Sequence, residues 1–229
     1  MTVLWSFRQM AGIASASDQL HNFQASALGV KGGEPKYGRH GDLKPENLLW
    51  FEKGPDIDNE NGILQIADFG KGKFNLMESR SRISPSAAHA SPTYEPPELW
   101  LFKPISRAYD IWSLGATYLE FVTWLLLDPR GIGLFSDGRG EPNSAGIDDD
   151  TFYTIIRERN QEPYAEVRHS VLEWVAKLRE HEKCSEAVHE LLDLTMEELL
   201  VENPQDRGDA KKIDTRLDDI VKKAKDETV

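Results

Sequence analysis

The sequence predicts a mainly α-helical fold carrying one small β-hairpin, and three features lead to that reading. Apolar residues recur every three or four positions near the N-terminus and again over the last third of the chain, the period of a helix with one buried face. The stretch from Tyr109 to about Leu127 is apolar nearly all round, which places a helix in the centre of a core rather than at its edge. Two short apolar runs, Asn47 to Phe51 and Gly62 to Ala67, flank the acidic turn region Glu52 to Asn61 and read as paired strands. A length of 229 residues suits one large domain, 1–229, with room for a full core.

In chain order, Leu4 to Leu28 carries Leu4, Phe7, Met10, Ala11, Ala14, Leu20 and Phe23 on a helical stripe, ending at a loop rich in Gly and Lys, Gly29 to Gly38. The predicted hairpin follows. Lys71 to Ala90 is basic, serine-rich and without a sustained period, the pattern of a mobile loop. The apolar helix starts at Tyr109, with Asp110 in its first turn, where an acid complements the helix dipole. Asp128 to Asp150 reads as a long connection bearing Gly, Asp and Pro, an insert or partly mobile region. Helical spacing returns in Phe152 to Arg159, Val167 to His181 and Glu186 to Leu200. Asn203-Pro204 ends that series, and Lys211 to Val229 is a charged terminal helix or tail.

Composition narrows the function. A net charge of −12 argues against a general nucleic-acid binder and against attraction to an anionic membrane surface. Phe121 to Leu127, the longest apolar patch, falls far short of the roughly 20 residues a membrane helix needs. Met1 to Met10 lacks the apolar run of a signal peptide, and the single Cys184 forms neither an internal disulfide nor a zinc cluster. A cytoplasmic or nuclear location is expected. The six histidines show no metal-ligand spacing, and Asp148-Asp149-Asp150 lacks the alternation of a calcium loop, so a solvated turn or helix start is expected there.

The stretch His40-Gly41-Asp42-Leu43-Lys44-Pro45-Glu46-Asn47-Leu48-Leu49 has the makings of a phosphoryl-transfer loop. Asp42 is suited to accept the proton of an attacking hydroxyl, and Lys44 to offset charge on the transferred group. Asn47 is suited to hold magnesium through its carbonyl oxygen. Further on, Asp68-Phe69-Gly70 follows the second strand directly, an acid placed on a bend where glycine eases the backbone and the carboxylate is aimed at a metal.

Together these segments resemble the catalytic loop and the Asp-Phe-Gly motif of the eukaryotic protein kinases, Ser/Thr branch. Gly41 departs from the pattern, standing where the family usually has Arg. Pro96-Pro97-Glu98 stands for the family's Ala-Pro-Glu, Ser91 for its Thr, and Tyr109 to Gly115 for the start of its central helix, all in the family's order. The resemblance implies Asp42 and Lys44 as catalytic residues. It implies Lys44, Glu46, Asn47, Leu49 and Asp68 as ATP-binding, with Asn47 and Asp68 on Mg and Leu49 under the adenine. It further implies that Asp110 braces the catalytic loop, that His40 packs beside Phe69, and that Arg207 is the buried partner of Glu98.

The expected segments are the catalytic loop 40–49, the activation segment 68–98, the central helix 108–127 and a helical remainder, 151–229. The matching motifs belong to the C-terminal lobe of that fold, with the hairpin beneath the nucleotide. Neither a Gly-rich loop nor a Val-Ala-Ile-Lys strand is found, so the β-rich N-terminal lobe is expected to be absent from this chain and supplied, if at all, by a separate lobe or partner protein. Two functions follow as expectations. One is transfer of the ATP γ-phosphoryl group to a protein Ser or Thr, weak in this chain by itself. The other is a kinase-derived binding module without turnover. Without an arginine at position 41, a phosphate added to the activation segment finds no ready cation there, and regulation by that route is not expected.

Overall fold

The computed structural model describes residues 3–23, 36–52, 61–76, 92–142 and 148–227. The fold is mainly helical, and the described residues include four two-stranded antiparallel sheets. Helix α1 is Val3–His21, followed by strand β1, Lys36–Arg39. A single 3-10 turn at Pro45–Asn47 leads into β2, Leu48–Phe51, which pairs with β3, Ile63–Ile66, in the register Leu48 to Ile66 and Phe51 to Ile63. This is the expected hairpin, one residue shorter at each outer end.

Helix α1 holds the hairpin by side chains as well as by apolar packing. Trp5 Nε1 donates to the Gly62 carbonyl at 2.9 Å, and the buried Gln9 accepts from Leu64 N at 2.8 Å. The other face of α1 contributes Phe7, Met10, Ile13 and Ala14 to the core, each at most 2% exposed. Its last turn is tied to the next major helix, because Arg107 donates to the His21 carbonyl at 2.9 Å, a cation on otherwise unpaired C-terminal carbonyls.

The apolar stretch forms α3, which begins at Ala108; the short α2, Pro97–Trp100, precedes it. Ile111, Trp112, Leu114, Tyr118, Leu119 and Val122 are all essentially buried, as an all-round apolar helix requires. Thr117 and Thr123 each donate to the carbonyl four residues earlier at 2.8 Å, whereas Ser113 and Tyr118 reach outside the helix to the carbonyls of Tyr94 and Met10. Gly115 permits close approach of the turn at 195–199, since a Cβ there would stand 2.8 Å from that of Leu199.

At Asp128 the helix breaks. Asp128 takes φ +64° and its carboxylate accepts from Arg130 N at 2.9 Å, with Pro129 at the first position of a new helical segment that runs to Arg139. The expected end near Leu127 is thus found, but the expected open connection after it is not. Phe135 and Arg139 bury completely, and that burial outweighs the helix-weakening glycines at 131, 133 and 138. A short pairing of β5, Glu141–Pro142, with β6, Asp148–Asp149, closes this excursion.

Phe152 to Arg159 is not a helix. Tyr153–Ile156 is strand β7, paired with β8, Tyr164–Val167. Its aromatic and β-branched residues favour a pleated surface over the helical spacing they also satisfy. The remainder is helical as expected: α4, His169–Arg179, α5, Glu186–Leu194, extended by one wide turn to Leu199, and α6, Ala210–Asp226. Ser185 and Asp209 cap α5 and α6 by accepting from Val188 N and Lys212 N. Helix α6 lays its stripe of Ile213, Leu217, Ile220 and Ala224 against α1 and α5. Among the described residues no helix is long and apolar enough to cross a membrane.

One ion pair ties the two halves of this body together. Arg207 donates to both carboxylate oxygens of Glu98 at 2.8 and 2.7 Å, and neither side chain has exposed surface. Further bonds to the carbonyls of Ala108, Val201 and Glu202 satisfy the guanidinium, which also lies over the Trp112 ring at 5.1 Å. The expected pairing of Glu98 with Arg207 is therefore present. Arg207→Met leaves Glu98 as an uncompensated buried charge, and a loss of about 3–5 kcal/mol in urea unfolding is expected; a loss below about 1 kcal/mol would show that the pair is not structural.

Candidate active site

Leu43, 2% exposed, anchors the loop 40–47 in the core, with His40, Asp42 and Asn47 also buried and Glu46 exposed. The loop is braced from α3. Asp110 accepts His40 N and Gly41 N, both at 2.8 Å, and His21 Nε2 at 2.9 Å, so one buried carboxylate fixes the loop to α1 and α3 together. Gly41 stands at φ +77°, the left-handed region that a β-carbon strains, and its position one residue before Asp42 sets where that carboxylate points.

The structure brings Asp42, Lys44 and Asn47 together. Asn47 Nδ2 donates to the Asp42 carbonyl at 2.7 Å and lies 3.4 Å from Asp42 Oδ2. Its amide nitrogen is thereby used inside the loop, and the carbonyl oxygen is the group left to act as a ligand. Lys44 Nζ is 3.7 Å from Asp42 Oδ2. Glu46 is exposed on the 3-10 turn, and Leu49 is exposed on β2 opposite Gln65.

Asp68 lies at the end of the hairpin with φ +61°, accepting from Gly70 N at 3.1 Å across the one-turn helix Phe69–Lys71. His40 joins this turn to the loop. Its ring meets Phe69 edge-on at 4.9 Å, its Nδ1 accepts from Asp42 N at 3.3 Å, and its Nε2 donates to the Ala67 carbonyl at 3.0 Å. The expected packing of His40 on Phe69 is found, and His40 is a strut rather than an acid or base.

Three parts of the site were not anticipated. Lys71, read as the start of an irregular loop, instead closes the one-turn helix, and Lys73–Leu76 forms β4, paired with β1. Lys71 Nζ is 3.6 Å from Asp42 Oδ2, a second cation on the same oxygen. Arg39 occupies the space beside Gly41: its Nε is 3.5 Å from where a Gly41 Cβ would stand, and its guanidinium covers the Tyr109 ring at 5.1 Å. A cation therefore lies beside position 41 although residue 41 carries none, brought by the residue two positions earlier. Residues 77–91, with Ser91 and the other serines, lie outside the described residues.

The third part is a buried network beneath the segment 92–95. Tyr94 OH donates to Glu120 at 2.7 Å, and Arg139 donates to the other Glu120 oxygen at 3.0 Å. The Arg139 guanidinium lies over the rings of Phe135 and Phe152 at 3.9 and 4.2 Å. Asp150 accepts from Thr93 and from Ser136, and Asp149 pairs with Arg168. These aspartates were expected to be solvated; the two buried arginines hold them instead.

Asn47 and Asp68 are hard oxygen donors of the kind magnesium prefers. Among the described residues no group of three or more His, Cys, Asp or Glu is placed to hold a metal ion. Two protein ligands with the balance from phosphate and water suit magnesium, which keeps several waters and is commonly held with substrate phosphates. The donor set therefore fits a Mg-nucleotide better than a lone metal.

Residues 38–215 match the family model of the protein kinase domain. The chain belongs to the protein kinase family. Over 76 residues it is 41% identical to a calcium/calmodulin-dependent protein kinase type 1 of Macrobrachium nipponense, covering 33% of this chain and 19% of that one. Over 85 residues it is 38% identical to a probable serine/threonine-protein kinase of Dictyostelium discoideum, 37% of this chain and 14% of the other. A calcium/calmodulin-dependent protein kinase type 1 of Caenorhabditis elegans is 36% identical over 76 residues, with 33% and 19% covered. The matched stretch thus spans under a fifth of each of these kinases.

Two outcomes check this geometry. In the kinase loop, Asp110→Asn replaces an acceptor oxygen with a donor and strands a buried N–H, with an expected loss of about 1–3 kcal/mol and faster hydrogen exchange at His40 and Gly41; unchanged exchange would refute the brace. Burial raises the Glu120 carboxyl above its ordinary value of 4.5, against the pull of Tyr94 and Arg139. The folded protein then holds that proton more tightly than the unfolded chain, so the Glu120 contribution is full below about 4.5 and declines as pH rises toward the folded value. Glu120→Gln stays neutral throughout. Its urea midpoint is expected to improve relative to wild type between about pH 4 and pH 7, and a difference independent of pH would overturn this assignment.

Proposed function

We propose that this chain carries the catalytic half of a Ser/Thr protein kinase, transferring the γ-phosphoryl group of ATP to a protein hydroxyl. The observation that carries the reading is the convergence of Asp42, Lys44 and Asn47 in one loop braced by Asp110, with Asp68 on the adjoining turn pinned by His40. ATP enters as substrate; Asn47 and Asp68 are the residues that would hold a Mg ion, which would supply charge neutralisation. Asp42 accepts the proton of the incoming Ser or Thr hydroxyl as its oxygen bonds to phosphorus. The bond from phosphorus to the bridging oxygen breaks, its electron pair leaving with ADP. Lys44 offsets charge on the group in transit. Glu46 and Leu49 border the nucleotide, Leu49 from the open face of the hairpin.

In this reading the chain corresponds to the C-terminal lobe, and the upper half of the nucleotide clamp comes from another segment or a partner protein. Positioning and charge stabilisation make up almost all of the catalysis in phosphoryl transfer, so the clamp governs how much activity this chain shows by itself. A second reading, a binding module that uses the same face without turnover, is favoured by the exposure of Leu49, Trp50, Phe51 and Phe69 around the site.

A thermal-shift titration with Mg-ATP separates the two. Saturation to a hundred times the dissociation constant stabilises by about 2.7 kcal/mol, and Asp68→Ala is expected to reduce the shift. No shift at millimolar Mg-ATP would sink the autonomous-enzyme reading.

A further inference from the structure

Arg39 ends strand β1 opposite Lys73 of β4, and the next two backbone amides along the chain are those that donate to Asp110. The base of its side chain is therefore fixed by the sheet on one side and by the brace on the other. Its guanidinium lies over the ring of Tyr109, with the carbon 5.1 Å from the ring centroid. Gly41 makes room for it: a Cβ there would stand 3.5 Å from Arg39 Nε and 3.8 Å from Nη2. The missing side chain at position 41 and the guanidinium beside it are thus one arrangement.

This setting differs from that of the arginines deeper in the fold. Arg139 pairs with Glu120, Arg168 with Asp149 and Arg207 with Glu98. Arg39 is partly buried against a ring face and, among the described residues, forms no ion pair. Tyr109 is not its counter-anion, because burial first and the charge of Glu95 second hold that phenol well above its ordinary value and so keep it protonated. Asp110 is already satisfied by His40 N, Gly41 N and His21. Arg39 Nε itself is buried and makes no hydrogen bond. Buried polar groups in folded proteins are as a rule satisfied, so this N–H is one that an incoming acceptor completes.

A guanidinium with its face on an aromatic ring keeps its N–H edge for acceptors in its own plane, and that edge matches two oxygens of a phosphate. A phosphate monoester brings three acceptor oxygens and a charge of about −1.5 to −2 at neutral pH. It is also the group that protein kinases form on a hydroxyl. We propose that Arg39 is the receptor for a phosphate monoester, with the Tyr109 ring as its platform, and that occupancy fixes the turn at 39–42 and with it the Asp42 carboxylate. The fold supplies from position 39 the cation that position 41 lacks. This is a binding function, and it holds whether or not the chain turns over ATP, so its test is separate from any nucleotide titration.

An NMR titration of the full chain that follows the Arg39 Nε–H signal is that test. The probe is phosphoserine blocked at both termini, with glutamate blocked in the same way as the carboxylate control. Phosphoserine is expected to shift the Arg39 Nε–H signal and the amides of Gly41 and Asp42 in the millimolar range. Glutamate is expected to bind wild type about tenfold more weakly, and phosphoserine to lose about tenfold in affinity for Arg39→Met. The source of the phosphate is read from the chain phosphorylated on serine by an added kinase. A signal already shifted in that preparation, and restored by phosphatase, identifies a phosphoserine of the protein itself. A signal that moves only with the added probe identifies a phosphate carried by another molecule. No movement of the Arg39 signal at tens of millimolar phosphoserine overturns the proposal, and so does equal binding of glutamate. Wild-type affinity in Arg39→Met overturns it too, placing the phosphate elsewhere. The wild-type signal decides the matter even where Arg39→Met fails to fold.

Discussion

The Asp110 carboxylate, wholly buried at the start of α3, accepts hydrogen bonds from the backbone of His40 and Gly41 and from the His21 ring. A buried carboxylate is tolerated only when its oxygens are satisfied, and here the donors come from two distant parts of the sequence. Satisfying the charge therefore obliges α1, α3 and the loop 40–47 to meet at one point. Leu43 packs inward at that point, and Asp42, also buried, faces Lys44, Asn47 and Lys71. Everything at the candidate site, down to the orientation of the Asn47 amide, is referenced to this contact.

The Glu98 and Arg207 pair does for the far side of the molecule what Asp110 does for the loop. It fastens α2, the start of α3 and the connection before α6 into one body. Both anchors grip the first turns of α3, whose buried stretch is largely apolar. Its side chains leave little latitude in how the surrounding helices settle, since close-packed interiors do not deform smoothly. The site is thus mounted on the most rigid element of the fold.

Much of this was legible in the sequence because it depended on local order. The acid, cation and amide of the loop, the acid of the Asp-Phe-Gly turn and the apolar run from Tyr109 are each written within a few consecutive residues. What was not legible depended on which distant residues meet. Nothing in the spacing of Asp42 and Lys71 says that their side chains converge, because only the turn at 69–71 brings them together. Arg39 lies two positions from Gly41 yet fills the space beside it through the bend of the loop. Tyr153 to Ile156 satisfies a helical spacing and a strand composition equally, and pairing with Tyr164 to Val167 decides between them. The second segment of α3 was hidden by its glycines, although Asp128-Pro129 is a recognisable helix start.

The network of Tyr94, Glu120, Arg139 and Asp150 has a thermodynamic consequence for the segment just before α2. Tyr94 is tied to a carboxylate on α3 and Thr93 to another at Asp150, and both carboxylates share the buried Arg139. Local opening of a protein proceeds in cooperative units rather than residue by residue. Residues 92–95 are therefore coupled through Glu120 and Asp150 to the helical segment that carries Ser136 and Arg139, and loosening that segment lowers the opening free energy of 92–95.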